Sequence, residues 1–260
     1  VLGEALVFGE AVKEDFSHDE MPIYGKFAPE AVCFPSSTGE VAEVMRICCE
    51  ECVPVTVRGA GTGLVGGCVP LCGGLVLSTE RMNSILAYDM NNLTVTIQPG
   101  VLLRDLAADA LSHGLMYPPD PGEKTSTVGG NVSTNAGGMR AVKYGVTRDY
   151  VRGLTAVQAD GTVLTVGGKN VKDASGLSLK NLFIGSEGTL CVITRCILRL
   201  FPKPETSLSL LLPYRDLKSG IRSVLTILRA GLNPTALEFM ERSVVEWGER
   251  YSGVTYPCKG

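Results

Sequence analysis

Glycine is concentrated in three short segments, and this pattern constrains the fold of the chain more than any other feature. The segments are 57–67, 125–138 and 185–190, and the chain holds 31 glycines among 260 residues. Clustered glycines, which lack a Cβ atom, let a backbone turn sharply and approach a partner closely. Hydrophobic residues (45%) and charged residues (20%) stay plentiful. We therefore expect a globular protein whose glycine segments lie against a ligand.

The first segment contains the pattern G-x-G-x-x-G, from Gly61 to Gly66. Dinucleotide-binding folds of the Rossmann class use this pattern where a strand turns into a helix. Here Gly67-Cys68-Val69-Pro70 follows, and no helical pattern begins, so the sequence does not predict a Rossmann fold. Successive glycines still allow backbone N–H groups to converge on an anion. A plain glycine turn between two strands is the alternative.

Hydroxyl and amide side chains accompany glycine in the second segment. Residues 125–138 combine two Gly-Gly pairs with Ser, Thr and Asn, and Pro118-Pro119-Asp120-Pro121 precedes them. A loop of this kind offers many small donors and little bulk, which suits a polar ligand lying along the chain. The third segment, Gly185-Ser186-Glu187-Gly188-Thr189-Leu190, leads into a predicted strand.

Helical and alternating patterns around these segments predict a mixed fold. Residues 36–52 form a predicted helix with capping-box spacing from Ser37 to Glu40. Gly114 marks the end of a second predicted helix, 101–113. The pair Asp160-Gly161 predicts a hairpin with a type I′ turn over 153–166. Further strands are predicted at 53–57, 74–77, 93–98, 190–200 and 208–212, and further helices at 217–230 and from 237 onward.

Charge and hydropathy exclude several classes of function. A net charge of −3 and a pI near 5.6 do not suit a protein that binds the nucleic-acid backbone. No run approaches the ~18 apolar residues of a membrane span, and the first residues lack the basic region and cleavage motif of a secretion signal. We therefore expect no nucleic-acid partner, no transmembrane segment and a cytoplasmic location.

The nine cysteines fit no disulfide framework. Their number is odd and no secretion signal precedes them, so we expect them to be reduced. The spacing of Cys49, Cys52, Cys68 and Cys72 approximates that of a zinc ribbon. Cys48 fits the apolar stripe of the predicted helix, however, and a glycine segment separates the two pairs. We expect no metal site and keep a zinc ribbon as the alternative.

Taken in order, the three glycine segments resemble the FAD-binding domain of the p-cresol methylhydroxylase (PCMH) and vanillyl-alcohol oxidase family. The resemblance extends from about residue 31 to 241 and includes Lys143-Tyr144-Gly145. The Pro-Pro-Asp-Pro motif and Tyr144-Gly145 favour the branch of the glycolate oxidase D subunit and D-lactate dehydrogenase. Each motif alone is common, whereas the three together are specific.

The resemblance implies an α+β fold with two subdomains that hold FAD between them. The FAD-binding domain is expected at 1–204, with subdomains of about 1–80 and 81–204. Residues 205–260 are expected to begin a cap domain that shapes the substrate pocket, and this cap is incomplete.

The resemblance also assigns residues to the cofactor by position. The FAD pyrophosphate is assigned to Val57, Arg58, Gly59, Ala60, Gly61, Thr62 and Gly63. The central part of the cofactor is assigned to Asp120, Thr125, Ser126, Thr127, Gly129, Gly130, Ser133, Thr134, Gly137 and Gly138. The adenine or ribose is assigned to Glu187, Gly188, Val192 and Ile193.

Two departures from the family pattern refine these expectations. Relatives with covalent flavin carry a histidine near the position of Thr62, and a threonine cannot form that link, so we expect non-covalent FAD. Cys191 stands where the branch commonly has glycine, which places a side chain close to the cofactor.

The implied activity is that of an FAD-dependent dehydrogenase, which oxidises a 2-hydroxy acid such as glycolate or D-lactate and passes electrons to a second acceptor. Expected partners are an electron-transfer flavoprotein or an iron–sulfur subunit. Two alternatives remain: a flavin-binding electron-transfer subunit active only within a complex, and an enzyme like alkylglycerone-phosphate synthase.

No catalytic residue is assigned, and neither of the two histidines, His18 and His113, is favoured. Arg140, Lys143 and Tyr144 face either the flavin and substrate or solvent.

Overall fold

The structure is a computed structural model that describes residues 3–256, so the outer ends of both predicted domains lie outside the described residues. Its strands are β1 Leu6–Phe8, β2 Ala31–Cys33, β3 Val55–Arg58, β4 Leu75–Ser78, β5 Ile85–Asp89, β6 Thr94–Ile97, β7 Leu115–Met116, β8 Val151–Val157, β9 Val163–Gly167, β10 Val192–Arg199 and β11 Phe201–Pro202. Its α-helices are α1 Thr38–Glu50, α2 Leu103–Ser112, α3 Val128–Thr134, α4 Ala141–Tyr144, α5 Leu179–Phe183, α6 Leu217–Arg229 and α7 Arg242–Ser252.

The first four strands form one sheet, in the order β1-β2-β4-β3. Strands β2, β4 and β3 run parallel, with Val57 opposite Leu77, and β1 is antiparallel to β2. Strand β3 is therefore an edge strand of this sheet, and the first glycine segment continues directly from it.

Five later strands form a second, antiparallel sheet, in the order β5-β6-β10-β8-β9. The chain thus combines helices with two main sheets, one largely parallel and one antiparallel, which confirms the α+β class. The change of sheet falls between residues 78 and 85, close to the predicted subdomain boundary, although the boundary itself stays a prediction.

Helix α1 lies between the two sheets. It begins as predicted, because the hydroxyl of Ser37 accepts a hydrogen bond from the Glu40 amide (3.2 Å), and the Glu40 carboxylate accepts one from the Ser36 amide (2.6 Å). Its buried stripe packs in one core with Val157 and Val192 of the second sheet. The members of the stripe are Val41, Val44, Met45 and Cys48. This helix therefore fixes how the sheets meet.

Three predictions of local structure are wrong. The hairpin exists, but a type I′ turn needs positive φ at both central residues, and Asp160 does not have it. Instead, Gly161 alone has positive φ (+85°) after a turn closed by its amide and the carbonyl of Gln158 (3.0 Å). Residues 208–212 form no strand, because no described strand lies beside them to share backbone hydrogen bonds. Helix α7 begins only at Arg242, since Glu241 still has extended backbone (ψ 155°).

Candidate functional site

The side chain of Arg58, the last residue of β3, packs against the first glycine segment. Its side chain is only 7% exposed, donates to the carbonyl of His18 (2.6 Å) and lies 5.5 Å from the ring centroid of Phe16. The backbone of Gly61 lies against this side chain and has φ +77°. A Cβ atom at position 61 would lie 2.5 Å from the Arg58 Cζ atom. The loop thus needs glycine at 61 for both its conformation and its space.

A run of backbone N–H groups within the first segment has no partner among the described residues. Within residues 3–256, none of the amides of residues 59–65 donates a hydrogen bond. The run ends at Gly66, whose amide donates to the Asp19 carboxylate (2.7 Å). Unpaired amides in a protein require an acceptor from solvent or a ligand, and successive amides of this kind form anion-binding concavities. Such a run is able to hold phosphate oxygens.

The second segment touches the first at Thr127. A Cβ atom on Gly59 would collide with the Thr127 hydroxyl, so the backbone of Gly59 lies directly against the side chain of Thr127. Thr127 also caps α3, where its hydroxyl accepts from the amide of Gly130 (3.2 Å). Residues 128–134, interpreted from sequence as part of a ligand-binding loop, are therefore helical.

Amides at the start of α3 are already used within the protein. Those of Val128 and Gly129 donate to the carbonyls of Val101 and Pro99, both at 2.8 Å. Because the Gly130 amide is taken by Thr127, the first turn of α3 offers no free N–H group to a ligand. Glycine matters here for packing: a Cβ atom on Gly129 would lie 2.9 Å from the Cα atom of Pro99.

After α3 the chain passes back against Asp120. A Cβ atom on Gly138 would collide with the Asp120 carbonyl and lie 2.8 Å from the Pro121 nitrogen. The Asp120 carboxylate pairs with Lys124 and with Arg140 (Nε–Oδ2 3.3 Å). The side chain of Arg140 therefore lies against Asp120 rather than in solvent alone, and its contact with the flavin or substrate stays a prediction.

The third segment contacts both of the others. Glu187 has left-handed backbone (φ +54°) between Gly185 and Gly188, which have φ of +83° and +80°. The Glu187 amide donates to the Ser133 carbonyl (2.8 Å), and a Cβ atom on Gly188 would lie 3.7 Å from that of Val57. Three segments that are distant in sequence thus converge on one region.

Most predicted hydroxyls are engaged inside the protein. The Thr125 hydroxyl donates to the Glu123 carboxylate (2.5 Å), Ser126 to the Glu123 carbonyl (2.8 Å) and Thr134 to the Gly130 carbonyl (3.0 Å). These side chains shape the segment, and their hydroxyl protons are not free for a ligand.

Two further residues of the site were not assigned from the sequence. The Nδ2 atom of Asn131 and the Oγ atom of Ser186 are buried, and neither has a hydrogen-bond partner in the described part of the chain. A buried polar atom without a partner is costly, so each has hydrogen-bonding capacity that the described protein groups leave unused. Both residues lie inside the glycine motifs, and only that position signalled them.

Two cavities border these segments. A smaller one, of about 220 Å³, lies among α1, β3 and residues 188–192; we call it the side cavity. A larger one, of about 820 Å³, borders Arg58, Gly59, Ala60 and Thr127 and extends to Phe16 of the N-terminal region. Val192 lines the side cavity, whereas the Ile193 side chain lies in the core of the second sheet.

The described residues contain neither a metal-binding cluster nor a membrane-spanning helix. No group of three or more His, Cys, Asp or Glu side chains there is arranged to hold a metal ion. Eight cysteines, including the four with zinc-ribbon spacing, are free thiols. None of the helices found in residues 3–256 has the length and apolar character needed to cross a bilayer.

Comparison with known proteins identifies the family. The family model described as an FAD binding domain matches residues 29–167, more than half of the chain. The chain belongs to this family. A D-lactate dehydrogenase of Anaerostipes hadrus is 53% identical over 253 residues, which are 97% of this chain and 53% of the relative. The glycolate oxidase subunit GlcD of Bacillus subtilis is 45% identical over 93% of this chain and 52% of its own length. The resemblance drawn from the motifs is confirmed.

The chain spans about half the length of the curated relatives it matches. Among solved structures, an alkyldihydroxyacetonephosphate synthase has a TM-score of 0.79 and 22% identity, over 91% of this chain and 45% of its own. This likeness shows the shared fold alone.

FAD fits the residues present at the site. The cofactor carries a pyrophosphate, and the free amides of residues 59–65 offer donors for its oxygens. It also carries ring and ribityl groups that accept hydrogen bonds, for which Asn131 and Ser186 have unpartnered polar atoms. Glycines at 59 and 61 leave no side chain in the way. FAD is therefore the cofactor of this domain.

Proposed function

We propose that this chain is the FAD-binding part of a dehydrogenase that oxidises a 2-hydroxy acid such as glycolate or D-lactate and passes the electrons to a second acceptor. The convergence of three glycine segments around free amides carries this proposal. The names of the relatives, D-lactate dehydrogenase and glycolate oxidase subunit, supply the substrate class. Bound FAD supplies the two-electron oxidation chemistry.

Each segment is proposed to hold a different part of the cofactor. The amides of residues 59–65 hold the pyrophosphate, each such bond contributing ~1.5–3 kcal/mol. Residues 120–138 hold the central part, and Asp120 keeps Lys124 and Arg140 close to it. Residues 187–192 and the side cavity hold the adenosine end. The cofactor stays non-covalent, because Thr62 has no nucleophilic ring nitrogen.

We also propose the domain organisation. Residues 1–80 and 81–204 are the two halves that enclose FAD, which the two separate sheets support. Residues 205–260 begin the cap. In the described part of this region only Gly220 is buried, as expected of an incomplete domain. No residue is assigned as general base.

The partner is proposed to be an electron-transfer flavoprotein or an iron–sulfur subunit. The word "subunit" in the name of the Bacillus subtilis relative supports an assembly. A cytoplasmic location is proposed on the free state of the eight described cysteines.

A spectroscopic titration tests this function. The purified chain, titrated with FAD, is expected to quench flavin fluorescence and shift the visible absorption bands. In the full-length gene product, D-lactate or glycolate is then expected to bleach the bands, and an artificial acceptor to restore them. Activity that needs an added partner protein would favour the flavin-binding subunit instead. Flavin binding without oxidation of any hydroxy acid would favour an enzyme like alkylglycerone-phosphate synthase. Absence of flavin binding would contradict the whole proposal.

A further inference from the structure

Three cysteine thiols line the side cavity. Cys48 and Cys49 come from α1, together with Met45, and Cys191 comes from the segment just before β10. Positions 45, 48 and 49 share one face of the helix, since residues three and four apart are neighbours on a helix surface. The other walls include Val57, Gly188 and Val192. The proposed function gives Gly188, Val192 and the side cavity itself to the adenosine end of FAD, whereas Val57 belongs to the adjoining pyrophosphate segment.

The three thiols differ in exposure. Cys48 is 8% and Cys191 is 5% exposed, whereas Cys49 is exposed. Burial raises the pKa of both inner thiols, that of Cys191 to about 11. Since the thiolate is the reactive form, these two stay inert near neutral pH. Of the three, only Cys49 combines access from solvent with a place on the cavity wall.

The size of the side cavity limits what it can hold. Its volume of about 220 Å³ is below the ~300–1,000 Å³ typical of a whole ligand site. It therefore has space for one part of a cofactor. A group attached to Cys49 that entered the cavity would fill the same space.

We propose that Cys49 is a modification site, and that its reaction with a low-molecular-weight disulfide excludes FAD from the side cavity, just as bound FAD protects Cys49. In this exchange the Cys49 thiolate attacks one sulfur of the disulfide. A new S–S bond forms between Cys49 and that sulfur, the original S–S bond breaks, and the second half leaves as a thiolate that takes up the proton. A thiol reductant reverses the exchange. This inference rests on the proposed function, because it places adenosine in the side cavity.

The test uses the 260-residue chain and oxidised glutathione as the probe. The extent of modification at each cysteine is measured by peptide mass spectrometry, with and without saturating FAD, and FAD affinity is measured before and after modification. We expect FAD to slow modification of Cys49 by about tenfold or more, and modification to weaken FAD binding by a similar factor. Dithiothreitol is expected to restore binding.

Two variants locate the effect. Cys72, which is also exposed but does not line the side cavity, is the matched control. In Cys72→Ser, glutathione treatment is still expected to weaken FAD binding. In Cys49→Ser, treated and untreated protein are expected to bind FAD equally.

The test distinguishes failure of the Cys49 inference from failure of the proposed function. If FAD binds well but binds modified and unmodified protein alike, or leaves the Cys49 reaction rate unchanged, the inference is wrong and the proposed function stands. If untreated protein does not bind FAD, both are wrong.

Discussion

At the scale of single residues, Gly61 occupies a position of the candidate site that tolerates no side chain. Its φ of +77° is a conformation in which a Cβ atom costs ~1–2 kcal/mol, and the Cβ atom would also press on the buried guanidinium of Arg58. We expect Gly61→Ala to rearrange the run of free amides and weaken FAD binding about tenfold or more, the loss of one charge-assisted bond. A fluorescence titration measures this.

Gly168 provides the matched control for that substitution. A Cβ atom at Gly168 meets no atom within 4 Å. We expect Gly168→Ala to bind FAD like the parent chain. Equal FAD affinity of the parent chain and Gly61→Ala, with both folded by circular dichroism, would remove Gly61 from the pyrophosphate site.

The threonine at position 62 predicts that the flavin is held without a covalent bond. Because a threonine side chain forms no link to the flavin ring, we expect acid precipitation of the loaded protein to release all the FAD into the supernatant. Absorbance at the flavin bands, measured in the supernatant and the redissolved pellet, checks this. A yellow pellet after denaturation would show a covalent bond elsewhere.

At the scale of elements, α3 depends on its cap. The Thr127 hydroxyl satisfies the Gly130 amide, and loss of an N-cap hydroxyl costs ~1 kcal/mol. We expect Thr127→Ala to lower the thermal midpoint by about 2–4 °C, as followed by circular dichroism. Thr127→Ser, which keeps the hydroxyl, is expected to retain most of the stability. Equal losses in both variants would assign the effect to the methyl group.

The contrast between α1 and α3 shows what the sequence could predict. Helix α1 carries its own signals, a capping box and an apolar stripe. Helix α3 contains Gly129 and Gly130, which are poor helix formers, and it exists because distant carbonyls at 99 and 101 accept its first amides. Tertiary contacts of that kind have no local signature. The strand predicted at 208–212 is wrong for the converse reason, since a strand-like apolar run does not supply a partner strand.

The candidate site was predictable only in part. The motifs and the resemblance placed three segments at the cofactor, and the structure brings those segments together. The unpartnered atoms of Asn131 and Ser186 and the thiols around the side cavity became visible only with burial. The sequence alone identifies the residues of the three segments, whereas their burial and hydrogen-bond partners require the structure.

At the scale of the whole molecule, one ion pair joins the two edges of the second sheet. Asp89 ends β5, Lys169 follows β9, and their charged atoms lie 2.8 Å apart. Hydrogen bonds from Lys169 and Asn92 lower the pKa of Asp89 to about 2. Because the folded pKa lies below the unfolded value of ~3.9, the stabilisation is full above that value and is lost as the pH falls toward 2.

This linkage is testable by a pH series. We expect Asp89→Asn to unfold at a lower temperature than the parent chain at pH 7, and the difference to vanish as the pH approaches 2. Asp173→Asn, at an exposed aspartate with no ion pair among the described residues, is the control and should follow the parent chain throughout. A difference that persists at the lowest pH would come from something other than the charge of Asp89.

Residues 205–256 contribute little to the FAD-binding part. All the assigned cofactor residues precede residue 194, and the later region is almost wholly exposed. We expect a chain cut after Pro204 to bind FAD within about twofold of the full affinity, since distant changes act independently. The two affinities are compared by fluorescence titration. A large loss would mean that the later region completes the cofactor site.

The free amides of residues 59–65 have one more consequence. Peptide N–H groups do not gain or lose protons between acidic and alkaline conditions, unlike the lysine or histidine side chains that hold phosphates in many other proteins. We therefore expect the contribution of this loop to holding the diphosphate to be insensitive to acidity over the whole range in which the chain stays folded. Acid-induced release of the flavin would therefore report unfolding, or titration of other groups such as the Asp120 carboxylate with its partners Lys124 and Arg140, and not a loss of these amide donors.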